Sequence, residues 1–207
     1  MLPFQPSTAV TSDIEIVPDN YIERLDPSMI FGRAAPLEVD LGCGDGSFLV
    51  ALAEADPNRD YLGIERLRGR VRRTHGKIVR GRLPNARVFW IETSYAIQYM
   101  LPPESVTVFH LMFPDPWPKR RHWPRRIING DFLGSISRAL VPSGLFRIVT
   151  DQIDYFLEVE RLVNGCVELA RTTDESTAPG VSTFEKRFRE QGLDIHSLTL
   201  RKRSPVT

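Results

Sequence analysis

The stretch LEVDLGCGDG, residues 37–46, changes character halfway, from Leu37 to Leu41, apolar at every second residue, into three glycines at alternate positions. The first half predicts a short strand and the second a tight turn, because glycine tolerates positive φ and lets a ligand approach the backbone. Ser47 to Ala55 then sets Phe48, Leu49, Leu52 and Ala53 at helical spacing, and Asp56-Pro57-Asn58 stops that helix. Strand, glycine loop and helix in this order aim the first amides of the helix at whatever lies in the turn. A tight turn alone would also use glycines. The second strand, Tyr61 to Glu65, closes on an acid suited to ribose hydroxyls, and the combination favours a nucleotide or nucleoside ligand.

Working outward, strand and helix keep alternating. A helix after Glu65 places Leu67, Val71, Ile78 and Val79 near one face, with Gly69 and Gly76 weakening it. Ala86 to Ile91 is a third strand, Ser94 to Met100 a short helix and Ser105 to Phe113 a fourth, doubly covered strand. Asp131 is placed to cap a helix reaching Leu140, Pro142-Ser143-Gly144 turns the chain, and Leu145 to Thr150 is a fifth strand. Ile153 to Asn164 is helical, Val167 to Ala170 and Ile195 to Leu200 are strands, and Thr183 to Glu190 is an amphipathic piece in a polar stretch. Such alternation predicts an α/β doubly wound sheet whose ligands sit beyond the carboxyl ends of the strands. Residues 1–30, polar and punctuated by proline, read as a flexible arm, and residues 31–207 as a single domain.

Composition narrows the setting. The chain has 207 residues, of which 42% are hydrophobic, enough for one proper core. Its two cysteines, Cys43 and Cys166, are too few for a disulfide scaffold, and no start resembling a signal peptide or apolar span is present, so a cytoplasmic protein is expected. The four histidines, His75, His110, His122 and His196, lack metal-ligand spacing, and no metal is expected. Net charge is only +1, yet Arg66 to Ile91 contains nine cations and no acid. A one-signed block of this kind points to an anionic partner.

The second cationic cluster is the least ordinary segment: FPDPWPKRRHWPRR, Phe113 to Arg126, follows the fourth strand with four prolines, two tryptophans and one carboxylate. Proline excludes a central strand or helix interior there. The segment resembles the Asp-Pro-Trp-Pro-Lys-x-Arg-His-x-x-Arg-Arg signature of the bacterial tRNA (guanine-N7-)-methyltransferases. Asp40 to Gly46 resembles the first motif of class I S-adenosylmethionine-dependent methyltransferases, whose G-x-G-x-G spacing differs from that of dinucleotide enzymes. Gly63-Ile64-Glu65, Thr150-Asp151 and Ser182 to Lys186 appear in the same family's order, so the resemblance spans residues 37 to about 190.

That resemblance implies a Rossmann-like class I methyltransferase fold, with a seven-stranded, mostly parallel sheet, an antiparallel final strand and helices on both faces. It implies S-adenosyl-L-methionine as cofactor, tRNA as partner and methylation of a variable-loop guanine at N7. Asp40, Gly42, Gly44, Gly46, Glu65 and Glu92 would line the cofactor site, and Asp115 would stand at the catalytic centre beside cofactor and base. Lys119, Asp151, Ser182, Thr183, Phe184 and Glu185 would contact the substrate. Asp40 stands where the family more often has Glu, Glu92 where Asp is usual and Ser182 where Thr is usual, each keeping charge or hydroxyl with a different reach. Trp123-Pro124 replaces a common basic residue.

Isolated readings remain beside these. Asp151 could cap the helix at Ile153, Glu185 could pair with Arg189, Trp117 reads as a brace for the loop, and Cys43 as a small residue tolerated in the turn. The alternatives in function are a methyltransferase acting on another RNA or a small molecule, and a tRNA-binding scaffold that has lost efficient catalysis. Nothing in the sequence bears on whether the chain is a monomer or a homodimer.

Overall fold

The computed structural model describes residues 14–173, 190, 192 and 194–203. Within them one sheet runs through the molecule, with strands β1 (Glu15–Ile16), β2 (Leu37–Leu41), β3 (Asp60–Glu65), β4 (Ala86–Trp90), β5 (Val106–Met112), β6 (Leu140–Thr150), β7 (Leu169–Arg171) and β8 (His196–Lys202). Their order across the sheet is β1-β4-β3-β2-β5-β6-β8-β7. All pairings from β1 to β6 are parallel, while β8 runs antiparallel to both β6 and β7. The order turns at β2, whose neighbours β3 and β5 lie on opposite sides, so a crevice opens beyond the ends of β2 and β5.

Among the described residues six α-helices connect the strands: α1 (Pro27–Phe31), α2 (Ser47–Ala55), α3 (Arg68–Gly81), α4 (Thr93–Tyr95), α5 (Gly130–Ala139) and α6 (Ile153–Asn164). A π-helical turn, Ala96–Met100, extends α4. Side-chain alternation along β2 and β3 divides the core. Leu37, Val39, Leu41, Leu62 and Ile64 pack toward Ile97, Met100 and the inner faces of α5 and α6. Tyr61 and Ala86 meet Phe48, Leu49 and Leu52 of α2 and Ile78 of α3 on the other face. The polar residues of β2 also point to that second face: Glu38 is buried against His110 at 2.7 Å and against Arg59 at 3.1 Å, which satisfies a charge that would be costly alone.

Several boundaries differ from the sequence reading for identifiable reasons. Part of the arm expected over residues 1–30 is docked: Glu15–Ile16 adds an eighth strand beside β4, and Leu25 and Ile30 enter the core. Two residues are too short a run to show strand periodicity. In α3, Leu67 and Val79 are exposed, and Thr74, buried against the glycine loop, takes the inward position between Val71 and Ile78. Asn129, not Asp131, caps α5 by accepting the Phe132 amide at 3.0 Å. Pro142-Ser143-Gly144 does not separate helix from strand. It bulges within β6, whose pairing with β5 jumps from Val106–Leu140 to Val108–Leu145.

The loop after β5 is held from within. It contains a 3₁₀ turn, Arg120–Arg125, and Arg126 then turns inward, only 5% exposed. Its Nε donates to the Pro116 carbonyl at 2.8 Å, its Nη1 pairs with Glu158 of α6, and its guanidinium lies 4.8 Å from the ring centres of both Trp123 and Tyr155. One cation thus joins both ends of the loop to α6. Arg126→Ala should lower unfolding stability by about 1.5–3 kcal/mol, the usual worth of hydrogen bonds to a charged group. Urea denaturation of Arg126→Ala, Glu158→Gln and the double variant should show coupling between the two sites; additive losses would mean that the pair does not anchor the loop.

Candidate active site

The glycine loop bends because Gly42, Gly44 and Gly46 all carry positive φ, at 70°, 59° and 77°. At Gly46 the requirement is also steric, since a Cβ would fall 2.6–2.9 Å from the Thr74 side chain. Thr74 Oγ1 in turn donates to the Gly44 carbonyl at 3.2 Å, so α3 supports the loop from below. Cys43 is buried and packs on Gly63, where any β-carbon would meet its sulfur at 2.7 Å. Burial, then the nearby Asp40 and Glu65 charges, push its thiol well above the ordinary value. Cys43 is therefore a packing group rather than a nucleophile.

Asp40 and Glu65 converge at this loop and are differently provided for. Glu65 accepts the Gly44 amide at 3.1 Å and the Leu67 amide at 2.8 Å, with Arg70 at 3.7 Å. Asp40 is 3% exposed, and its Oδ2 finds no hydrogen-bond partner among the described residues. Burial first, and the Glu65 charge second, push its carboxyl up to about 7. An orphaned buried carboxylate oxygen beside an open glycine turn is suited to a cationic, hydrogen-bonding ligand group. Gly42 has nothing within 4 Å of where a side chain would project, so the backbone there is accessible to such a ligand. Asp45 pairs instead with Lys77 at 2.7 Å.

Across the crevice, Asp115 projects from the loop after β5 with its side chain 72% exposed, and Arg66, just beyond Glu65, approaches it to 3.9 Å. The ends of β3 and β5 therefore share one rim. Lys119 is exposed at the start of the 3₁₀ turn. Trp117 is braced, as its sequence context suggested: Arg125 lies 4.9 Å over its ring and His122 meets it edge-on at 5.7 Å. Glu92 ends the β4 connection and caps α4 through the Tyr95 amide at 2.8 Å. Asp151 follows β6 and accepts from the Gln152 side chain at 3.0 Å; it does not cap α6, and the Gln152 amide goes to Thr150 Oγ1. Ser182, Thr183, Phe184 and Glu185 lie outside the described residues.

Arg66, Thr74 and Arg126 contribute to the arrangement without standing out in the sequence. Arg66 and Arg126 are concealed among like-charged neighbours, and only the tertiary fold separates a buried anchor from solvated cations. Thr74 sits in the helical pattern where an apolar residue is the default. Among the described residues no three His, Cys, Asp or Glu side chains gather as metal ligands would, and no helix is long and apolar enough to cross a membrane.

This geometry has close counterparts. Residues 34–198 match the family model described as "Putative methyltransferase". A tRNA (guanine-N(7)-)-methyltransferase of Halorhodospira halophila is 38% identical over 194 residues, covering 90% of this chain and 83% of that protein. One of Cutibacterium acnes is 39% identical over 187 residues, covering 86% and 67%. In structure, the 16S rRNA methyltransferase KamB superposes with a TM-score of 0.62 at 14% identity, covering 88% of this chain and 96% of that one. The aminoglycoside-resistance methyltransferase NpmB1 gives 0.60 at 20% identity, covering 86% and 94%; at these identities both likenesses speak for the fold. With a glycine loop and two acids beyond the strand ends, Asp115 on the same rim and relatives matched over most of its length, the chain belongs to the tRNA (guanine-N7-)-methyltransferase family of S-adenosylmethionine-dependent enzymes.

Proposed function

We propose that this chain methylates N7 of a guanine in the tRNA variable loop, with Asp115 as its catalytic carboxylate. The observation that carries this reading is the placement of an exposed carboxylate, Asp115, on the same rim as the orphaned oxygen of Asp40 and the glycine loop. S-adenosylmethionine, when bound, supplies an electrophilic sulfonium methyl group. The open backbone at Gly42, in the turn that Gly44 and Gly46 shape, and the carboxylates of Asp40 and Glu65 are the groups that would hold it. Asp40 fits the amino-acid ammonium, because its unused oxygen needs a donor. Glu65 fits the ribose hydroxyls, since a carboxylate keeps lone pairs after accepting two amides. Glu92 would assist at the nucleoside end.

Guanine N7 has a free lone pair, so the protein need not remove a proton before attack. Its tasks are alignment and stabilisation of the positive charge that the purine gains. Asp115 does both if its oxygens accept from guanine N1–H and N2–H, which fixes the ring and places negative charge beside it. Lys119 and the exposed arginines of the loop hold phosphates, and Asp151 borders the same crevice beyond β6. Serine, threonine, phenylalanine and glutamate at 182–185 complete the substrate contacts in this proposal.

Incubation with labelled S-adenosylmethionine and unmodified tRNA should place one methyl group per tRNA at N7 of a variable-loop guanine. Label in a small molecule or at another nucleotide would replace this reading, and tRNA binding without cofactor binding would favour a scaffold. Asp115→Asn should keep cofactor affinity within several-fold and lose most turnover; near-normal turnover removes the role assigned to Asp115.

Asp40 also makes cofactor binding depend on pH. With its carboxyl raised to about 7 in the free protein, ionisation must precede binding of a cation below that pH. Affinity measured by calorimetry should then rise roughly tenfold per unit up to about 7 and level off above it. The buffer-dependent heat should report proton release in the same window. Asp40→Asn should flatten the profile, and an unchanged rising limb in that variant would assign the titration elsewhere. In the free protein the sign for stability is opposite: this group's contribution falls as pH rises from 3.8 toward about 7, because the folded state binds the extra proton.

A further inference from the structure

We infer that tRNA is gripped a second time, along the flank of α3, by a ridge of cations that starts at the catalytic carboxylate. This rests on the reading of the crevice as a tRNA-methylating site and extends it to a surface outside the crevice. Arg70, Arg73, Lys77 and Arg80 follow one another at three- and four-residue intervals, the spacing that stacks side chains on one side of a helix, and Arg66 stands just before the helix begins. The inward face of α3 is set by Val71, Thr74 and Ile78, so the cationic line runs beside the buried face on the solvent side.

The carboxylates that meet the ridge show where it lies. Arg66 is 3.9 Å from Asp115, Arg70 is 3.7 Å from Glu65, and Lys77 is 2.7 Å from Asp45. These three acids belong to the crevice and its glycine loop, and the ridge therefore begins at the active centre and leads away from it along α3. Arg73 and Arg80 are exposed and make no ion pair among the described residues. They are two turns apart, about 10 Å along the axis, which lets them meet different phosphates. No acid lies between Arg66 and Ile91, so the acids that reach the ridge come from the neighbouring loop and strand, at Arg70 and Lys77, and make no ion pair with Arg73 or Arg80 among the described residues.

A phosphodiester backbone is the occupant that this chemistry fits. Arginine presents a planar fork of donors to phosphate oxygens, and repeated cations without interleaved apolar side chains suit a repeating anion rather than a protein surface. A base seated at Asp115 necessarily brings its flanking backbone to the rim, where Arg66 and Arg70 stand. The exposed arginines beyond them continue the same path. The ridge thus supplies affinity and register, while Asp115 and the glycine loop supply chemistry.

The test compares Arg73→Gln/Arg80→Gln with Arg161→Gln, a control on α6, which packs in the other core cluster. Affinity for unmodified tRNA is measured across salt concentrations, together with cofactor affinity. Each lost phosphate contact should reduce the magnitude of the log-affinity against log-salt slope by about 0.7–0.9, so the double variant should lose about 1.4–1.8 and Arg161→Gln close to none. Cofactor affinity should be unchanged. A wild-type slope in the double variant, or an equal loss in Arg161→Gln, would overturn the ridge. Because binding is read apart from methyl transfer, a protein that binds with the expected slopes but transfers no methyl group sinks the catalytic reading while supporting the ridge.

Discussion

Glu65 ties together the parts of the rim that have to agree. One carboxylate accepts the amide of Gly44 from the glycine loop and the amide of Leu67 from the start of α3, while its own backbone continues β3. The glycine loop and the turn into α3 are thereby fixed to one point at the end of β3. Asp40, buried beside it, is left with an unpartnered oxygen and a carboxyl raised first by burial and second by the Glu65 charge. Structural satisfaction of one acid and availability of the other follow from the same placement.

The loop after β5 divides its cations in a comparable way. Arg126 is withdrawn into the fold to hold Pro116, Glu158, Trp123 and Tyr155, and Arg125 covers Trp117. Lys119, Arg120 and Arg121 remain exposed. Proline limits the backbone, but the buried guanidinium decides where the loop sits. Asp115, next to the carbonyl that Arg126 grips, is consequently carried on a braced segment rather than a free one, as preorganised electrostatics requires.

Much of this was legible from the chain alone. The bounds of β2, α2 and α6 follow directly from apolar spacing and from their flanking glycines, proline and polar residues. The glycine loop and the signature after β5 located the rim. Tertiary choices were not legible. The competition between Asn129 and Asp131 for the start of α5 is settled by which side chain reaches the Phe132 amide. Leu67 and Val79 fit a helical stripe, yet the close approach of the glycine loop turns Thr74 inward in their stead. The burial of Arg126 depends on Glu158, more than thirty residues later, and nothing local separates it from its solvated neighbours.

Among the described residues the sheet ends at both sides on very short strands, β1 with two residues and β7 with three. An edge strand exposes unpaired amides and carbonyls, and its length sets how well it can template another chain. Glu15 on the first edge is also engaged by Arg68, and Arg171 on the last by Glu160, so charge accompanies each terminus. Long, flat edges would invite edge-to-edge aggregation. Brief, charged margins protect against it.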